Sequence, residues 1–157
     1  LIMFLDRIDK IILRYLQQDA SASNVKLASI IGLSPPACFK RVKRLKNAGV
    51  IVSQVALLDQ SKLATCLHML VNIKMERDRL DLYNEFIKHM KAATEVKQCY
   101  QVTGEIDFVL LVTVQNMQDY EYFCQRYLYS DTNIKNFTTH ISMNRVKFDT
   151  SAIIPDK

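Results

Sequence analysis

Between Ser34 and Gly49 the chain reads SPPACFKRVKRLKNAG, with two adjacent prolines, five basic residues and no acid. Lysine and arginine side chains pair with phosphate oxygens and guanine edges, and an asparagine amide can pair with adenine. The stretch holds both kinds, so a nucleic-acid contact is the chemistry to test first. Elsewhere the reactive residues are scattered. Cys38, Cys66, Cys99 and Cys124 are far apart in apolar runs, without a C-x-x-C pair. They read as buried free thiols of a reducing cytosol rather than as a disulfide framework. His68, His89 and His140 fall on different elements with no cysteine or carboxylate at metal spacing. The chain has three glycines and no G-x-S-x-G, P-loop or dinucleotide glycine pattern. The expectation is a protein with no catalytic residues, no metal and no cofactor.

The prolines are explained by a helix start. Ser34 can cap, Pro35 falls at the first helical position where a missing N–H costs nothing, and Pro36 stays within the first turn. Cys38, Val42 and Leu45 then recur on one inward stripe. At about 100° per residue, Pro36, Lys40, Lys43, Arg44 and Asn47 point outward, with Phe39, Arg41 and Lys46 on the flanks. Gly49 ends the helix. A solvated surface helix usually interleaves both signs to gain i, i+4 pairs, and this one does not. Two helices precede it. LDRIDKIILRYLQQD places Leu5, Ile8, Ile11, Ile12, Tyr15 and Leu16 at helical spacing. NVKLASIIG offers Asn24 as cap, Val25, Leu27, Ala28 and Ile31 as its stripe, and Gly32 as its stop. Three short helices with a tight Gly-Leu-Ser turn match the helix-turn-helix pattern, and its last helix is the basic one. Ser34, Pro36, Phe39, Lys40, Arg41, Lys43, Arg44 and Asn47 are therefore the candidate DNA contacts.

Charge follows the same division. Residues 1–50 carry nine bases against three acids, whereas residues 51–157 carry twelve against thirteen, so the net +5 lies in the first third. That asymmetry suits a polyanion-binding module joined to a near-neutral one. VIVSQVALLD reads as a strand pair or wing, and the composition shifts near residue 60. The domains expected are 1–52, a strand and linker over 53–64, and 65–157. The second domain alternates strand and helix signals. LHMLVNIKME is a strand with Leu67, Met69, Val71, Ile73 and Met75 on one face. DRLDLYNEFIKHMKAA is a helix with Leu80, Tyr83, Phe86, Ile87 and Met90 inward. EVKQCYQVTG and IDFVLLVTVQ are two strands, NMQDYEYFCQRYLYSD is a helix with Met117, Tyr120, Phe123, Cys124, Tyr127 and Leu128 inward, and NIKNFTTHISMNRVKF is the last strand. The order βαββαβ predicts an antiparallel sheet with both helices on one face, so the fold class is α+β, a winged helix-turn-helix followed by a ferredoxin-like domain. Leu70, Val109 and Leu111 make the second sheet face apolar as well. A homodimer through that face is the expected cover.

No apolar run reaches the roughly 18 residues of a membrane span, and the opening LIMFLDRIDK lacks the basic leader of a signal peptide, so no membrane partner is expected and a cytoplasmic location is. Three functions are consistent with the residues: a DNA-binding regulator, an architectural DNA-binding protein without effector, and a sensing module acting by protein contact. The last has no need of a basic third helix.

LDRIDKIILRYLQ, NVKLASIIGLSPPACFKRVKRLKNAGVI, ALLD and TGEIDFVLLVTV resemble, in order and spacing, the leucine-responsive regulatory protein/AsnC family of transcriptional regulators. The resemblance runs from Leu5 to Phe148. It implies DNA binding at the N-terminus and effector sensing at the C-terminus, amino acids as effectors, and homodimers that assemble to tetramers or octamers. It also implies an effector pocket between dimers at a Gly-x-x-Asp loop, here Gly104-Glu105-Ile106-Asp107. By that carry-over Gly104 offers backbone N–H groups to a carboxylate and Asp107 pairs with an α-ammonium. Tyr100 and Thr103 precede the loop, and His140 and Ser142 align with pocket positions of the last strand. Ile106 stands where the family often has an aromatic residue, and His140 and Ser142 where apolar residues are common, so leucine is not carried over as the effector.

Overall fold

The computed structural model describes residues 4–155; the first three residues of the apolar start and the last two of the second expected domain lie outside the described residues. The chain divides into two units, one formed by residues 1–57 with 147–157, the other by residues 58–146. Residues 147–155, expected with the second domain, therefore fall with the first.

The first unit holds α1 (Arg7–Gln18), α2 (Asn24–Ile31) and α3 (Pro35–Asn47). Its core is Ile12, Leu13, Leu27, Ala28, Cys38 and Leu45, with Val42, Ile31 and Ile154 among the residues packed on it. Burial of the Cys38 thiol pushes its pKa up, in keeping with an inert core residue. Two details differ from the periodicity. The cap of α2 is Ser23, whose hydroxyl accepts from the Lys26 N–H, rather than Asn24. Val25 is exposed, because it lies about 115° round the helix from the centre of the Leu27, Ala28 and Ile31 stripe. Residues 52–59 form no strand. A strand needs a hydrogen-bonded neighbour, and among the described residues no segment supplies one, so Val52, Val55, Leu57 and Leu58 stay exposed.

The second unit begins with a 3-10 turn at Gln60–Lys62 and continues as β1 (Leu67–Met75), α4 (Leu80–Ala92), β2 (Val96–Gln101), β3 (Phe108–Val114), α5 (Met117–Phe123, extended by a π-helical turn at Cys124–Leu128) and β4 (Ile134–Ile141). The sheet is antiparallel with strand order β2-β3-β1-β4. Met69, Val71 and Ile73 of β1 pair with Val112, Leu110 and Phe108 of β3, and all six are fully buried under Phe86, Met90, Tyr120, Phe123 and Leu128. Leu80 and Met117, expected inward, are exposed. Each opens its helix, and helical side chains tilt toward the N-terminus, so a first residue projects past the end into solvent. On the other face Leu70 lies opposite Leu111, and Asn72 opposite Val109. Val109 and Leu111 are half-buried, and Leu70 is 44% exposed. No helix among the described residues is long and apolar enough to cross a membrane.

Candidate nucleic-acid interface and effector site

The start of α3 is built as its residue types dictate. The Ser34 hydroxyl accepts from the Ala37 N–H at 3.4 Å, and the two prolines occupy the first two helical positions. Gly32 turns the chain at φ 70°, a left-handed conformation that costs glycine nothing. Asn24, displaced from the cap position, donates its side-chain amide to the Pro35 carbonyl at 2.7 Å and so ties α2 to the first turn of α3. At the far end the Gly49 N–H reaches the Lys46 carbonyl and the Val50 N–H reaches the Leu45 carbonyl, both at 3.0 Å. This is a Schellman ending, with Gly49 at φ 71. The basic helix is thus fixed at both ends.

Its cations are of two kinds. Asp9 of α1 is fully buried and accepts from Arg41 Nη1 at 2.9 Å and from Arg44 Nη2. Asp6 accepts from the same Arg41 nitrogen at 2.6 Å. The two carboxylates also form a reciprocal capping box on α1. In it the Asp9 N–H donates to Asp6 at 2.8 Å, and the Asp6 N–H donates to Asp9 at 3.2 Å. The Asp9 N–H, followed by the Arg41 guanidinium, holds the Asp6 carboxyl below its ordinary range. On sequence alone Arg41 and Arg44 belong to the freely offered bases of an acid-free face, and here the structure differs. The helix itself has no acid, but α1 brings two against this flank. Arg41 is 30% exposed in its side chain and Arg44 is 50% exposed, so Arg44 still presents half its surface to solvent.

The remaining outward positions fit their expected places. Pro36, Phe39, Lys40, Lys43 and Asn47 are exposed, and among the described residues no ion pair engages Lys40, Lys43 or Lys46. Ser34 is exposed, with its hydroxyl committed to the cap. Asp6 and Asp9 are the residues that sequence reasoning missed, and Asn24 was expected in a different role, as a cap. The signal was present: an Asp-x-x-Asp pair at a helix start, and Arg41 and Arg44 three apart on one flank.

In the second unit, the Gly104 loop joins β2 to β3, with Gly104 at φ 117°. Asp107 is engaged within its own chain. It accepts from the Met75 N–H at 2.7 Å and the Tyr83 hydroxyl at 3.0 Å, and pairs with Lys74 Nζ at 3.3 Å. Burial pushes this carboxyl up, but those hydrogen bonds and the lysine outweigh it and hold it below the ordinary range. Burial, with Asp107 beside it, raises the Tyr83 phenol to about 12, so it stays a donor. The partner expected for an α-ammonium is therefore already supplied with three donors. Tyr83, Lys74 and the Met75 amide were not foreseen, because each is remote in sequence from the loop.

Tyr100, Thr103, Gly104 and Glu105 are exposed around this loop, the Tyr100 hydroxyl donating to Gln98 at 3.3 Å. His140 and Ser142 are not brought to it. His140 pairs with Leu70, and the Ser142 N–H donates to the His68 carbonyl, whereas Asp107 donates its N–H to Ile73. Along β1 that is a separation of about 10 to 17 Å, at roughly 3.3 Å per residue. A single chain does not close a pocket from all seven residues. Near Ser142, His68 Nδ1 lies 2.9 Å from Thr113 Oγ1 and its Nε2 lies 3.7 Å from Cys66 Sγ, a polar edge to the apolar face.

The Lrp/AsnC ligand binding domain matches residues 68–152, and a winged helix-turn-helix DNA-binding domain matches residues 5–52. An HTH-type transcriptional regulator of Sinorhizobium fredii is 38% identical over 92% of this chain and 86% of its own length. Among solved structures, an AsnC family transcriptional regulator from Agrobacterium tumefaciens superposes with a TM-score of 0.87 at 30% identity, covering 95% of this chain and 97% of that one. A transcriptional regulator from Neisseria meningitidis in complex with L-methionine gives 0.86 at 27% identity, covering 96% and 97%. Fold, motif order and these matches agree over nearly the whole length, and the chain belongs to the Lrp/AsnC family of DNA-binding transcriptional regulators.

Proposed function

We propose that α3 enters the major groove of duplex DNA with Lys40, Lys43 and Asn47 at its contact face, and that a small effector of the amino-acid class adjusts how copies of the chain assemble on DNA. The observation that carries the first part is the division of cations on α3. One flank is fixed to α1 through buried Asp9, and the exposed face keeps lysines that pair with no acid among the described residues, beside an asparagine. A rigidly held helix with unpaired cations is complementary to phosphates, and its asparagine to an adenine edge. Arg44 is half-exposed but stays paired with Asp9, so the phosphate contacts fall to the lysines. The chain acts as a regulator by binding, not by catalysis.

The apolar sheet face of Leu70, Val109 and Leu111 supports a homodimer, which gives two reading helices for two half-sites. The effector reading rests on the ligand-binding domain and on the L-methionine bound by the Neisseria relative. We assign the carboxylate of the effector to backbone N–H groups near Gly104. Asp107 keeps the loop in place through Met75 and Tyr83, and its remaining lone pair is what it can offer an ammonium. The wide spacing of His140 and Ser142 from the loop supports a pocket completed by a further copy.

Gel-shift titration at two salt concentrations tests the first part: Lys40→Ala with Lys43→Ala should weaken binding and lower the salt slope by about 0.9 for each lost phosphate contact. Unchanged binding at both would remove α3 from the interface. A thermal-shift screen of the twenty amino acids tests the second, with methionine the first candidate. A blank screen would replace it by an effector-independent, architectural role.

A further inference from the structure

We infer that Phe39, three residues after Pro36 on the exposed start of α3, is a specificity-determining contact that reads thymine through its C5 methyl group. The inference deepens the proposed function and rests on α3 entering the major groove. Phe39 is 58% exposed, and Pro36 is exposed too. They stand three residues apart, so they are neighbours on the helix surface. Both lie in the first turn and a half, the part of a recognition helix that meets base edges. Around the helix Lys43 falls between them and Lys40 beside Pro36, while Arg41 and Arg44 hold the opposite flank to α1 and so fix the orientation of this side.

An exposed phenylalanine is ordinary by itself. Its setting is not, because the surroundings are cations that draw a polyanion onto the same face. Once phosphates engage Lys40 and Lys43, the Pro36–Phe39 ridge must meet the groove floor. It carries no hydrogen-bonding group that could read an amide or a carbonyl edge. The apolar group on a major-groove edge is the thymine methyl. The ridge thus discriminates thymine from cytosine, and it does so by burial.

The probe is a duplex enriched by the wild-type protein from a randomised pool. Each thymine is replaced in turn by deoxyuridine, which removes the methyl and leaves every pairing group in place. One buried methyl corresponds to about a fourfold change in affinity. Wild-type protein is expected to lose about that much at one or more positions of each half-site. Phe39→Leu should keep most of the discrimination and Phe39→Ala should lose it, with the salt slope of all three unchanged. The side chain is mainly solvated, so melting temperatures should match. The inference is overturned if wild type is indifferent to deoxyuridine everywhere while still binding with a steep salt slope, or if Phe39→Ala retains the full loss. Absence of salt-dependent binding would overturn this and the broader reading of α3 together.

Discussion

Asp9→Asn is the sharpest test of how α3 is held. The substitution keeps the side-chain volume and removes the buried charge that Arg41 and Arg44 share. Breaking a buried ion pair costs about 3–5 kcal/mol when the partner is stranded. Here neither guanidinium is stranded. Arg41 keeps Asp6 at 2.6 Å, and the Arg44 side chain is 50% exposed and can be rehydrated. The asparagine oxygen can still accept from the Asp6 N–H, and Asp6 still caps the residue-9 N–H. What is lost is the charge on two hydrogen bonds, and what is gained is the crowding of amide hydrogens against guanidinium hydrogens. Discounted for solvation, the cost is about 2 kcal/mol, at the low end for charge-assisted bonds. The unit has about 70 residues. At that size each kcal/mol moves the midpoint by roughly 4–8 °C, so a fall of about 10 °C is expected.

Calorimetry of the full chain measures this, with the first unit's transition recognised by its rise on adding DNA. A second readout is independent of stability. Arg44, released from Asp9, should steepen the salt dependence of binding by up to about 0.9 in slope. A change below about 2 °C together with an unaltered slope would mean that the pairing does not persist in solution. Arg41 and Arg44 would then be free cations, and the division of α3 into an anchored flank and a reading face would fail.

In the second unit, Tyr83→Phe removes one donor to Asp107, and should cost about 1 kcal/mol in a urea titration. Asp107 is held below the ordinary carboxylate range, so its contribution is complete above that range and is lost as pH falls through the folded value. Losing the Tyr83 bond raises that folded value, and acid unfolding of the variant should begin at higher pH; an unshifted acid limb would remove Tyr83 from the latch. Leu70→Asp with Leu111→Asp places two charges in the apolar sheet face, and should convert the proposed dimer to monomers by sedimentation velocity, with the circular dichroism unchanged. Ile154 is only partly buried on the core of the first unit. Ile154→Ala should therefore lower that unit's stability by about 2 kcal/mol, the low end for truncating an isoleucine. No change in its thermal midpoint would mean that residues 147–155 are bystanders.

Much of the fold was legible because both periods are local. Alternation placed Met69 to Met75 and Phe108 to Val114 on the core face, and helical spacing placed Cys38 and Leu45 inward. Helix ends were legible wherever a single residue type decides them, as with Gly32, Ser34 and Gly49. Positions failed where the decisive neighbour is tertiary. Asn24 has the right chemistry for a cap, but its amide is better used on Pro35, and Ser23 can cap in its place. The run over residues 52–59 has strand composition without a strand, since composition supplies one edge and pairing needs two. The return of residues 147–155 to the first unit leaves no local trace at all, being decided by Ile154 on the core and by the Ala152 N–H donating to Gln17 at 2.5 Å.

The charges carry the more general argument. Within α3 the absence of acids read as a surface offered whole to a polyanion, but a helix has two flanks, and a groove can occupy only the outer side. The inner flank needs an orientation device, and apolar packing alone permits a helix to roll by a fraction of a residue step. Asp9 accepts from two arginines one turn apart. It resists that roll, because turning α3 would separate the donors from a buried carboxylate that has no water to replace them. Arginine suits that flank, since its planar fork holds direction, whereas lysine suits the outer one, since a mobile ammonium follows the phosphate it finds. The placement of Arg41 and Arg44 against Lys40 and Lys43 is the arrangement that this reasoning requires, and exchanging Arg44 for lysine should therefore weaken the anchoring while leaving the net charge of the helix unchanged.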